Sequence, residues 1–102
     1  MPRLEQLHTL LLKTPSDPFL TYGIALEHKK TGDATAAVEW LEKTIALDAR
    51  YCYAYFQKGQ VLESLGQTEP ARQAYREGIM AARAAGDGHA ESELRGALEM
   101  ME

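Results

Sequence analysis

The chain is 102 residues long with a net charge of −4 and both signs interspersed, a size that fits one domain and a balance that disfavours nucleic acid as a partner. Its 45% hydrophobic and 25% charged residues, with only 8 Gly and 4 Pro, exclude a disordered composition. Cys52 is the single cysteine, so no intrachain disulfide is possible; no apolar run approaches the roughly 18 residues of a membrane span, and the first residues lack a signal peptide's uncharged core and small-residue cleavage site, so a cytoplasmic setting is expected.

Alanine, leucine, glutamate, lysine and arginine dominate, and the β-branched residues never alternate with polar ones over a strand's length. The helical period prevails throughout, and the expected fold class is all-α. Residues 2–13 place Leu4, Leu7, Leu10 and Leu11 on one face, with Pro2 tolerated at the start and Pro15 forbidding continuation. That stripe either packs on the next helix or docks in a partner's groove; packing is what a small helical domain needs.

Ser16 or Asp17 can cap a second helix with Pro18 in its first turn, running to Lys30 before Gly32 releases the chain. Asp33 or Thr35 caps a third, to about Leu47, forming an antiparallel pair in which Ala37 permits close approach. Cys52 to Leu65, a turn at Gly66-Gln67-Thr68 and Glu69 to about Ala85 repeat the arrangement, with Pro70 in a first turn. Ala71 and Gly78 are expected to supply small contact surfaces, and Tyr75, Ile79 and Met80 bulky ones. After Gly86-Asp87-Gly88 a last helix runs from about His89 to Met101, its Ala90, Leu94, Ala97 and Met101 on one face.

The two pairs are copies of one unit. Gly32 recurs 34 positions on as Gly66, Ala37 as Ala71 and Ile45 as Ile79, while Phe19 is echoed by Tyr53, Tyr22 by Phe56, Ala25 by Gly59 and Leu41 by Tyr75. A 34-residue period with helical periodicity inside it resembles the tetratricopeptide repeat. The resemblance covers essentially the whole chain and implies a right-handed α-solenoid of antiparallel helix pairs, about six helices in a single domain spanning 1–102. Its parts would be a half repeat at 2–15, full repeats at 18–51 and 52–85, and a capping helix at 88–101. The chain departs from the family pattern at Thr21, where a large aromatic is favoured, at His28, where tyrosine is, and at Lys58, where leucine is. Lys58 shares a packing face with Tyr55, Gly59 and Leu62, so its alkyl stem should be buried while its ammonium reaches solvent or a carboxylate.

Members of this family bind ligands on the inner wall lined by the first helix of each pair. At 100° per residue, Phe19, Tyr22, Leu26 and Lys29 share a stripe about 80° wide, and one repeat later the stripe holds Tyr53, Phe56, Gln60 and Glu63. The resemblance makes these eight the expected peptide-binding groove. Aromatic side chains with a few polar ends suit peptide recognition, although the same aromatics could instead be core. The lysine and asparagines with which some members clamp a terminal carboxylate are replaced by Tyr22, Leu26 and Gln57. The expected partner is therefore an apolar or mixed protein or peptide segment rather than an acidic chaperone tail.

Catalysis has little support. His8, His28 and His89 lie far apart with no metal-type ligand pattern, so no metal or cofactor is expected. Cys52 reads as a small buried hydrophobe, Glu39 and Lys43 as an i,i+4 surface pair, and Trp40 as a packing residue on the second helix of its pair, with a contact on the convex face as the alternative. The turns at Gly32, Gly66 and Gly86 lack the lysine of a phosphate cradle. The expected role is an adaptor or assembly module with no enzymatic activity, monomeric or weakly dimeric. The alternative is a structural subunit that self-associates, or sits permanently in a complex, through the same apolar surface.

Overall fold

Six helices follow one another in the computed structural model, which describes residues 2–101: α1 (Arg3–Lys13), α2 (Pro18–Lys30), α3 (Ala34–Leu47), α4 (Cys52–Ser64), α5 (Thr68–Ala85) and α6 (Gly88–Glu99). Among the described residues there is no strand. Each helix packs chiefly on its neighbour in sequence, giving an α-solenoid slab of 41 × 30 × 18 Å.

Local chemistry sets the boundaries. Asp17 begins α2 by accepting the Phe19 N–H, Asp33 begins α3 by accepting the Ala36 N–H, and Asp87 begins α6 by accepting the Ala90 N–H. The α2–α3 and α4–α5 turns are built alike. Gly32 and Gly66 adopt φ of 86° and 75°, a conformation open to glycine, and this lets Asp33 N–H reach back to the His28 carbonyl and Gln67 N–H to the Leu62 carbonyl, each at 2.9 Å. Several element ends differ from expectation by a residue or two: α1 starts at Arg3, α4 stops at Ser64, α5 starts at Thr68, and α6 runs from Gly88 to Glu99, leaving Met100 and Met101 in the turn beyond it.

Within each pair the crossing is made by small residues facing large ones. Ala25 and Ala37 are fully buried beside Leu41, while Gly59 and Ala71 lie beside Tyr75. A methyl group at Gly59 would sit 2.3 Å from the Tyr75 ring, and one at Gly78 would sit 2.7 Å from Tyr55 Cβ and 2.8 Å from Leu94 Cδ2. Neither position has room for a side chain.

The slab's first helix uses Leu7 as its buried anchor, against Leu20 and Ile24, with Leu4, Leu11 and Trp40 packed around them. Leu10 is half exposed. Arg3, 34 positions before the buried Ala37, points outward and pairs with Glu27 at 3.1 Å. At the other end α6 closes the core with Ala90 and Leu94, and Ala97, Leu98 and Met101 pack beside them. Lys58 behaves as its sequence context requires: its side chain is 21% exposed and its Nζ lies 3.8 Å from Glu42 Oε2. Met80 does not join the core. One position beyond Ile79 it is turned about 100° around the helix, and it is 64% exposed.

Candidate peptide-binding groove

The C-terminal ends of α2 and α4 and the second half of α6 enclose a hollow of about 820 Å³. Phe56 and Tyr75 form its floor, with ring centroids 6.2 Å apart. Gly59 is what admits the Tyr75 ring: the ring passes over the bare backbone of α4, and its hydroxyl emerges to donate to Glu63 Oε1 at 2.6 Å. Burial, then the hydrogen bond to Glu63 and that group's charge, push the Tyr75 phenol well above the ordinary tyrosine range. The phenol therefore stays a neutral donor and fixes one oxygen of the Glu63 carboxylate.

Lys29 closes one edge. Its ammonium donates to Gln57 Oε1 at 2.5 Å and to Gln60 Oε1 at 2.8 Å, tying α2 to α4, and burial lowers its pKa. The far wall is α6, where Glu93 and Ala97 face the hollow, Gly96 leaves it open, and Met100, 89% exposed, stands at the lip. Glu93 is engaged by His89, one turn back on the same helix. The hollow thus pairs an apolar floor with a rim carrying one ammonium and two carboxylates.

Of the eight residues the sequence points to, Lys29, Phe56, Gln60 and Glu63 line this hollow together. The other four lie outside it. Phe19, at the start of α2, is 65% exposed. Tyr22 is half-buried, its ring 5.0 Å from that of Tyr51 and packed on Ala25, Leu41 and Ala54. Leu26 is half-buried, and Tyr53 packs on the cluster that α6 completes. The lining residues missing from the sequence reading are Ser64, Tyr75, the α6 wall of Glu93, Gly96 and Ala97, and Met100 just beyond that helix. Tyr75 was legible as a large residue 34 positions after Leu41, but its reach past Gly59 into the hollow depends on the distance between two helices.

Other side chains with chemical potential are occupied. Cys52 is buried with its Sγ 3.8 Å from Asp87 Oδ2, and burial followed by the Asp87 charge raises its thiol pKa, so it is a poor nucleophile. Lys43 does not pair with Glu39; its Nζ sits 3.9 Å from the centroid of the Trp40 ring, where a cation–π contact holds it. Among the described residues no group of three His, Cys, Asp or Glu side chains is arranged to hold a metal ion, and no helix is long and apolar enough to cross a membrane.

Comparison with known proteins places these features. The family model described as tetratricopeptide repeat matches residues 22–51 and 53–84. A TPR repeat-containing protein of Pseudomonas aeruginosa is 30% identical over 91 residues, covering 89% of this chain and 87% of its own length. Among solved structures, a tetratricopeptide repeat domain protein from Salinibacter ruber superposes with a TM-score of 0.81 at 35% identity, over 86% of this chain and 89% of that one. PcrH in complex with the chaperone binding region of PopD superposes with a TM-score of 0.89 over 96% of this chain and 74% of that one; at 14% identity the likeness is one of fold.

Proposed function

The chain belongs to the tetratricopeptide repeat family, whose fold is typical of protein–protein interaction modules, and we propose that it acts as an adaptor that holds a segment of another protein in the hollow between α4 and α6. The observation that carries this reading is the composition of that hollow: Phe56, Ala97 and Met100 offer apolar surface over the buried Tyr75 ring, while Lys29, Gln60, Glu63 and Glu93 offer hydrogen-bonding ends. A segment with apolar side chains facing inward and polar backbone and side chains at the rim would satisfy both sets. Both charge signs at the rim favour a mixed segment over a uniformly acidic tail. Affinity would be modest, because only two full helix pairs and α6 supply surface.

Filling the hollow without disturbing the core tests the reading. A Cβ at Gly96 meets no atom within 4 Å, so Gly96→Phe places a ring in the open space while replacing a helical glycine with a better helix former. Proteins captured from a native lysate by the wild-type chain should be lost with Gly96→Phe, while the melting temperature holds or rises. Capture of the same proteins by both would refute a role for this hollow.

A further inference from the structure

We infer that α1 and α3 carry a second docking site, separate from the groove, for a protein segment that presents a large apolar side chain beside carboxylates. Two adjoining hollows of about 350 and 390 Å³ share Leu11 and Pro15 as a common wall. The first is backed by Trp40 and bounded by Lys43 and Leu47; the second is bounded by His8 and Leu12. None of these residues lines the groove.

The surface is apolar where a solvated helix face should not be. Leu12 is 85% exposed and Leu47 42% exposed, and their side chains flank the shared wall. In the next pair the counterpart of Leu47 is Ala81, small and 7% exposed, so the protrusion belongs to this end of the slab. The hollows together suit one or two bulky side chains, as a helix or turn of a partner would insert.

Charge narrows the partner. Lys43 and His8 are the titratable residues lining the two hollows, and no carboxylate lines either. Glu42, the neighbour of Lys43 on α3, faces Lys58 instead. The Lys43 ammonium is held in place over the Trp40 indole, and the His8 ring meets that indole edge-on with centroids 5.3 Å apart. A cation fixed in advance at the rim of an apolar hollow attracts a carboxylate next to the inserted side chain and repels a basic segment. On a chain whose net charge is −4, this is a local reversal of sign.

Trp40 is the only tryptophan, so its fluorescence reports directly on occupancy. The probes are three synthetic amphipathic peptides with one shared pattern of leucine and phenylalanine and with glutamate, glutamine or lysine at the remaining positions. The glutamate peptide should shift Trp40 emission saturably and bind at least tenfold more tightly than the lysine peptide, with the glutamine peptide between them. Lys43→Glu, at an exposed position, should reverse that order with only a small fall in melting temperature from the lost contact with Trp40, and Gly96→Phe should leave the order unchanged. Equal dissociation constants for the three peptides, or no saturable response to any of them, would overturn the proposal. A response to phosphatidylglycerol vesicles but not to the glutamate peptide would replace it with an anionic membrane surface, and loss of the response in Gly96→Phe would move binding to the groove.

Discussion

The α2–α3 and α4–α5 pairs have the same turn, the same spacing and the same crossing, yet they fill the crossing by opposite means. In the first pair the facing positions are Ala25 with Leu41 and Thr21 with Thr44; 34 residues on they are Gly59 with Tyr75 and Tyr55 with Gly78. The first pair shares volume evenly, and the second concentrates it in two tyrosines that lie over two glycines. What repeats is the room available at each contact, not the residue that occupies it. Polar satisfaction follows the same division. The Thr21 and Thr44 hydroxyl oxygens lie 2.8 Å apart inside the core, with the Pro18 and Trp40 carbonyls also in reach, so two protons are shared among three contacts, whereas Tyr55 and Tyr75 donate their hydroxyls to the Ala49 carbonyl and to Glu63. The uneven pair is also the one that supplies the groove, because only a long aromatic side chain spans the helix crossing and still reaches the other side.

The contrast is sharpest at Gly59. Gly59→Ala should destabilise the chain by about 3 kcal/mol, since the new methyl meets a ring close to the backbone rather than the free end of a flexible chain. Chemical denaturation measures it. Combining Gly59→Ala with Tyr75→Leu rebuilds the Ala25–Leu41 solution in the second pair, and a double-mutant cycle should recover at least about 1 kcal/mol. A cycle that closes with no coupling would mean the two pairs are not alternative fillings of one shape. On the other side of the comparison, Thr44→Val removes one member of the hydroxyl pair and should cost about 1 kcal/mol. Thr21 keeps its bond to the Pro18 carbonyl, which limits the loss.

A smaller effect separates the pairs by pH. All five tyrosines, Tyr22, Tyr51, Tyr53, Tyr55 and Tyr75, have phenol pKa values raised first by burial. In the unfolded chain these groups ionise near pH 10, so their contribution is intact below that pH and is lost as pH rises through the higher folded values. Melting temperature should fall above pH 10, and Tyr75→Phe should flatten the decline. Leu41, in the same place in the first pair, does not titrate, so the first pair carries one raised phenol, Tyr22, and α4–α5 three, Tyr53, Tyr55 and Tyr75.

Much of the fold was legible because it rests on short-range rules. The glycines at the turns and the small residues at the crossings follow from spacing along the chain, which also narrows each cap to two candidates, of which the structure uses Asp17 and Asp33. The burial of the Lys58 stem followed from the helical wheel, which left its ammonium to solvent or a carboxylate; Glu42 as that carboxylate is visible only in the structure. Met80 could have been read the same way, since a residue next to Ile79 on a helix cannot share its direction. The groove was legible only in part. Lys29, Phe56, Gln60 and Glu63 share a wheel stripe that the family resemblance marks as the groove, but Tyr22 is drawn toward Tyr51, which precedes α4, and Tyr53 toward the core that α6 closes. Those packings depend on how far each helix stands from the next, and one-dimensional spacing does not contain that distance. The position of Lys43 is similar in kind, because the Trp40 indole, one residue closer than Glu39, outcompetes the carboxylate expected to hold it.

Because each helix leans mainly on the one before and the one after it, few loops must close before contacts form. Such a chain should collapse quickly, in microseconds to milliseconds. Pulled from its two ends, it should yield helix by helix, as a zipper does, with α1 parting first: it rests on Leu7 and a few partly covered leucines, whereas α6 is pinned by two side chains sealed inside.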